Sequence, residues 1–266
     1  MASCAPERVP TGISEDGPTF VSLNPCLDAI LVEVAAPEQI LALSHYSRDP
    51  SASSMDVDTA LRFGVTGGTA EEVLALDPDI VLASTFIAPN TRATLEQLGL
   101  RVETFGSPNT AQQSIEQVQR MAELVGNSRA GDALIDKIDA TAPTGSKAEW
   151  SALIWQPGQI VPGETTLVAE HLRWAGLANN TSERGLEQAD FVSLERLLAN
   201  PPDILLVAGD RPGQTHPLLE RQRGMLVAEF DTSLLYCGGP TIPKARQRLL
   251  EIREEFERTR KRAANL

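Results

Sequence analysis

The side chains able to bind or react gather at a few places. His45, Tyr46, Ser47 and Arg48 follow directly on an apolar run, Ile40 to Ser44, so one loop carries an imidazole, a phenol and a guanidinium. Arginine there can pair with a carboxylate or phosphate, tyrosine can stack on a flat ring, and histidine can reach a metal. The competing reading keeps them within the loop, with Arg48 paired to Asp49. Cys26 and Cys237 both stand close to the ends of apolar runs. With His45 they would make a soft metal site, joined together a disulfide, and left alone two small buried thiols. Trp155 ends another apolar run and is the ligand-facing tryptophan of this reading. Trp174 and His171 fall in a helical pattern, T-T-L-V-A-E-H-L-R-W-A, and read as packing.

These groups do not assemble into a known catalytic signature. Neither G-x-G-x-x-G nor G-x-x-x-x-G-K-[ST] occurs, and G-x-S-x-G and H-E-x-x-H are absent too. Gly67-Gly68-Thr69 precedes a helix and offers backbone N–H groups to an anion, a weak signal by itself. A Cys26–His45 nucleophile pair has no third group to orient it. The reading is of a binding protein, not an enzyme, with no cofactor.

A formal net charge of −13 argues against nucleic acid or an anionic membrane surface as partner, since both attract basic faces. The chain has 266 residues, enough for two lobes. No stretch approaches the roughly 18 uninterrupted apolar residues of a membrane-spanning helix. Met1 to Pro10 lacks the apolar core of an export signal, which mature exported proteins have also lost. Cys4, in S-C-A-P, suits either a lipid-modified start or a free tail thiol.

What positions the candidate residues is an internal duplication. Glu71 to Ala83 reads E-E-V-L-A-L-D-P-D-I-V-L-A, and Glu195 to Val207 reads E-R-L-L-A-N-P-P-D-I-L-L-V; seven of the thirteen aligned positions are identical. Each copy is a capped helix (Thr69, Ser193), a Pro-Asp stop and a strand apolar on both faces, as parallel sheets require. Thr69 and Glu72 form a T-x-x-E capping box. Thr19 to Pro25 parallels Ser151 to Pro157, and Leu100 to Phe105 parallels Met225 to Phe230. The pattern predicts an α/β fold of two Rossmann-like lobes with mainly parallel sheets. Gln112 to Ala142 is helical, divided at Gly126-Asn127. The expected division is a loose tail over 1–17, an N-terminal lobe over 18–127, a helix between lobes over 128–145, and a C-terminal lobe over 146–266. A helical connection implies small hinge motion.

Taken together, F-V-S-L-N-P from Phe20, S-H-Y-S-R-D-P from Ser44, the Gly67 to Ala83 segment, V-P-G-E-T-T-L from Val161 and F-V-S-L-E-R-L-L from Phe191 resemble one family. It is that of helical-backbone periplasmic solute-binding proteins of ABC importers, nearest the vitamin B12-binding group, with ferric-siderophore and haem receptors as relatives. The resemblance implies a periplasmic monomer, anchored through Cys4 where that residue carries lipid, that captures a corrinoid or related metal chelate between its lobes and delivers it to an importer's membrane subunits. It implies docking through Glu71 and Glu195; the competing reading has each merely complement its helix dipole. Loops at strand carboxyl ends then supply the ligand site: Cys26, His45, Tyr46, Arg48, Thr66, Gly67 and Phe86 from the first lobe, and Trp155, Arg211, Tyr236 and Cys237 from the second. A ferric-siderophore or haem receptor is one alternative, and a ligand-sensing module or an enzyme on the same fold is the other. The sequence departs from the B12-binding pattern at Val65, where that family carries tryptophan, and at Ala175 and Leu250, near the positions of a disulfide in some relatives.

Overall fold

The computed structural model describes residues 17–140, 150–209, 214, 216–222 and 224–264. The chain runs β1 (Phe20–Ser22), α1 (Pro25–Val34), β2 (Ile40–Ser44), α2 (Val57–Ala60), β3 (Val65–Thr66), α3 (Ala70–Leu76), β4 (Ile80–Ser84), α4 (Pro89–Gln97), β5 (Arg101–Phe105), α5 (Ala111–Val125) and α6 (Ser128–Asp139). It continues with β6 (Trp150–Trp155), β7 (Ile160–Val161), α7 (Leu167–Trp174), β8 (Leu177–Asn179), α8 (Asn180–Glu183), β9 (Asp190–Phe191), α9 (Leu194–Ala199), β10 (Ile204–Val207), α10 (Pro217–Glu220), β11 (Leu226–Glu229) and α11 (Thr241–Ala264). Two units result, Met1–Ser107 with Ile115–Asp136, and Pro108–Ser114 with Lys137–Leu266. The division falls inside α6 rather than before it, so most of that helix belongs to the first unit. The expected tail and the end of the expected 128–145 helix lie outside the described residues.

The first unit holds a five-stranded sheet in the order β3-β2-β1-β4-β5, with every neighbouring pair parallel. The second holds a four-stranded parallel sheet, β11-β10-β6-β8, and a small antiparallel pair, β7-β9. Parallel strands buried on both faces account for the unbroken apolar runs. In the second unit the two faces can be read off alternate residues. Ala152, Ile154, Ile204 and Leu206 pack with α7 and α11 on one side, while Leu153, Trp155, Leu205 and Val207 pack with Val192 and Leu197 on the other. Helix α11 is charged along much of its length but buries Ile242, Ala245, Leu249, Ile252 and Phe256 along one stripe.

Local chemistry sets the element ends. Asn24 Oδ1 accepts the backbone N–H groups of Cys26 (3.0 Å) and Leu27 (3.3 Å), and Pro25 follows at the first helical position of α1. Gly126, at φ 77°, breaks the helical run between α5 and α6 where the Gly-Asn pair predicts it.

The duplication extends to hydrogen bonds. Thr19 donates its N–H and hydroxyl to Asp79 Oδ2, both at 2.8 Å, while the Asp79 N–H returns to Thr19 Oγ1 at 3.1 Å. Ser151 and Asp203 repeat this clasp at 2.8, 3.0 and 3.0 Å. The strands that follow are in matching register, Phe20 opposite Ile80 and Ala152 opposite Ile204. The Pro-Asp motif therefore does more than stop a helix. Its aspartate ties the amino end of one strand to its neighbour.

Candidate functional site

At the carboxyl edge of the first sheet, β2 delivers a 3-10 turn, His45–Arg48, capped by Ser44 Oγ. The side chains of this turn go two ways. His45 and Tyr46 are exposed, with ring centroids 4.1 Å apart, whereas Ser47 is buried. His45 Nδ1 lies 3.3 Å from the carbonyl oxygen of Thr66. A carbonyl only accepts, so Nδ1 is the donor in this contact, and a neutral ring so held has its lone pair on Nε2. Phe86, just beyond β4, is 82% exposed.

Other expected residues of this edge have internal duties. Arg48 Nη2 donates to the Phe63 carbonyl at 2.8 Å; Asp49 takes the N–H and hydroxyl of Ser51 instead. Thr66 is buried and gives its hydroxyl to Glu72 Oε2 at 2.8 Å, and the Gly67 N–H reaches the same oxygen at 2.6 Å. These bonds, the Thr66 hydroxyl foremost, hold the Glu72 carboxyl below its ordinary range. The anion cradle expected at Gly67-Gly68 thus receives the chain's own carboxylate. Of the capping box, the Thr69 half forms, its hydroxyl accepting the Glu72 N–H at 3.2 Å.

Behind the turn lies a residue the sequence reading passed over. Asp28, in the first turn of α1, is fully buried, and its Oδ2 accepts the Ser44 N–H at 2.9 Å and the Ser47 hydroxyl at 2.6 Å. Oδ1 and Ser22 Oγ are both buried without a hydrogen-bond partner among the described residues, and Ser22 is among the groups that act on the carboxyl. Burial pushes the carboxyl up to about 7 against the opposing pull of Ser22, Ser47 and Ser44. A single acid within P-C-L-D-A-I-L-V was the available signal.

In the second unit the Gln214 amide donates to the carbonyls of Trp155 (3.0 Å) and Ala208 (2.9 Å), joining the carboxyl ends of β6 and β10. Tyr236 is 62% exposed, and its hydroxyl donates to Gln156 Oε1. Trp155 is not offered to a ligand. Its ring is fully buried and its Nε1–H donates to Val192 O at 2.9 Å, because residue 155 shares the inward phase of Leu153. His171 is buried, and its imidazole is pushed down to about 3, chiefly by desolvation and then by Arg246, so it stays neutral as a packing residue. Cys26 and Cys237 are each disulfide-bonded, which leaves no thiolate at either for a metal. Arg211 lies outside the described residues. Among the described residues no group of three or more His, Cys, Asp or Glu is placed to hold a metal ion.

Glu71 and Glu195 are exposed in the first turns of α3 and α9. Their caps match, Thr69 Oγ1 accepting from Glu72 N and Ser193 Oγ from Arg196 N. The Glu195 carboxyl is held below its ordinary range by its own N–H and by the Ser193 hydroxyl.

Two α/β units, each with a mainly parallel sheet, carry their loops at the strand carboxyl ends, where open α/β sheets bind small ligands. A family model described as periplasmic binding protein matches residues 20–225, and the chain belongs to that family. Among solved structures it is similar to the periplasmic haem-binding protein RhuT from Roseiflexus sp. RS-1 in apo form, at 19% identity and a TM-score of 0.69, covering 90% of this chain and 97% of that one. The periplasmic vitamin B12 binding protein BtuF of Vibrio cholerae is similar at 18% identity and a TM-score of 0.67, covering 90% and 97%. Helicobacter pylori CeuE with Ni(II) bound is similar at 14% identity and a TM-score of 0.68, covering 92% and 86%. No curated protein matches the chain. Among the described residues no helix is long and apolar enough to cross a membrane.

Proposed function

We propose that this chain is the periplasmic substrate-binding component of an ABC importer, that its cargo is a planar metal chelate of the corrinoid class, and that Glu71 and Glu195 dock it on the membrane subunits. The observation that carries the cargo assignment is the exposed aromatic edge of the first unit, where His45 and Tyr46 stand 4.1 Å apart and Phe86 is open to solvent. Flat, largely apolar rings are what such side chains bind. The similar structures named for haem and vitamin B12 support that class. Docking rests on two exposed carboxylates at equivalent places of a duplicated unit.

A second reading, haem in place of a corrinoid, is favoured by the similar structure named for haem. With Nδ1–H held by the Thr66 carbonyl, Nε2 is preset to donate to a metal with an open axial position. Haem and cobinamide offer that position more readily than cyanocobalamin, whose axial sites are filled.

Calorimetric and absorbance titrations with cyanocobalamin, cobinamide, haemin and a ferric hydroxamate test the cargo. A saturable one-to-one response to a corrinoid supports the first reading. A response to haemin alone, with a spectral shift lost in His45→Ala, supports the second. Silence from both macrocycles overturns the cargo class. For docking, Glu71→Lys with Glu195→Lys is expected to leave cargo affinity intact and abolish stimulation of the importer's ATPase; full stimulation by the double variant refutes it.

A further inference from the structure

We infer that Asp28 is the positioning residue of the His45–Tyr46 turn, a buried clamp that sets where the aromatic edge presents itself to cargo. The inference rests on the reading of that turn as part of the ligand site. One carboxylate oxygen takes a backbone N–H from the turn's cap, Ser44, and a side-chain hydroxyl from its middle, Ser47. Those two bonds fix the turn on both sides of His45 and Tyr46. The division within it, exposed at 45 and 46 and buried at 47, follows from that anchorage. Nothing about His45 or Tyr46 themselves holds the turn inward, since Tyr46 is half exposed and His45 bonds only sideways to Thr66.

The surroundings suit a clamp that works in either protonation state. From β1 comes Ser22, from β2 the Ser44 N–H, and from the turn the Ser47 hydroxyl; no cation is among the groups that act on the carboxyl. The basic side chains of the turn are engaged elsewhere, His45 with Thr66 and Arg48 with Phe63. Helix α1 also packs on β4, whose residues Ile80–Ser84 (I-V-L-A-S) carry no charge. A neutral acid can give its proton to Ser22 Oγ through Oδ1, and an ionised one can accept from it. Oδ2 serves the turn in both cases.

Amide hydrogen exchange across Ser44–Arg48, read beside cobinamide and haemin affinity, separates the clamp from the ligand reading. In Asp28→Ala, exchange at Ser44 and its neighbours is expected to rise about tenfold or more, the scale of losing a charge-assisted bond, with cargo affinity falling to match. Asp28→Asn keeps an acceptor for both bonds and an N–H for Ser22, and is expected to restore both readouts to within about threefold of the parent. Ser47→Ala removes one bond, should fall between the two, and carries the test if Asp28→Ala does not fold. Unchanged exchange over Ser44–Arg48 in folded Asp28→Ala and in Ser47→Ala overturns the proposal. Faster exchange with unchanged affinity for both chelates upholds the clamp and removes the turn from the ligand site instead.

Discussion

Asp28→Asn has a second consequence, visible in how stability depends on pH. The folded carboxyl is pushed from an ordinary 3.8 up to about 7. Between those values the folded chain keeps a proton that the unfolded chain has released. The native state is therefore favoured at low pH, and this contribution is lost as pH rises through about 7. Three pH units at about 1.4 kcal/mol each make it about 4 kcal/mol. Asparagine mimics the protonated acid in shape and cannot ionise. The difference in unfolding free energy between variant and parent is thus expected to swing by about 4 kcal/mol toward the variant between pH 4 and pH 8. Urea unfolding at half-unit pH steps measures it, with an unchanged m-value as the check that both unfold alike. Other carboxylates cancel in the difference, including Glu72, Glu103 and Asp49, which are held below their ordinary range and stabilise as pH rises. A flat difference over that window would mean that Asp28 is solvated or paired, and the buried clamp would have to be abandoned.

His171 provides the opposite slope. Its imidazole is depressed from 6.5 to about 3, so stability is lost as pH falls below 6.5, by up to about 5 kcal/mol, and His171→Gln should remove that acid sensitivity in the same unfolding series. Trp155→Phe should cost about 2–3 kcal/mol, from the orphaned Val192 carbonyl and the smaller ring, while cargo affinity by calorimetry stays at the parent value; weakened binding in a folded variant would return Trp155 to the site. Asp203→Ala should destabilise by about 2–3 kcal/mol and Asp79→Ala by about 1–2, since the first clasp is solvent-exposed and the second part-buried; thermal unfolding of both variants gives the ranking.

The repeated helix, Pro-Asp and strand units were legible because each signal is local. A cap, a helical spacing and an apolar run lie within fifteen residues, Thr69 to Ala83 and Ser193 to Val207, and the break at Gly126-Asn127 lies within two. What escaped was whatever depends on partners distant in sequence. Asp28 meets Ser44 and Ser47 from 16 and 19 residues away, and Thr19 meets Asp79 across 60. Trp155 shows another limit. Its place at a strand end was readable, but in a strand buried on both faces the sequence does not say whether the last side chain turns into the core. Glu72 shows a third, for its carboxylate reaches beyond the cap residue to the Gly67 N–H and the Thr66 hydroxyl, a matter of rotamer rather than of residue type.

The paired clasps divide each sheet into an end that must be kept and an end that is open to change. Both lie at the amino ends of neighbouring strands, and β4 then runs five residues, about 16 Å at roughly 3.3 Å per residue, before the chain reaches Thr85 and Phe86. Substitutions at sites so far apart add without interacting. A lineage can thus rework the loops through one cargo after another while strand register, pinned at the opposite margin, stays where it was. Resemblance between distant relatives, and between the two halves of one chain, should outlast the loss of every ligand contact at Thr/Ser and Asp pairs such as Thr19–Asp79 and Ser151–Asp203.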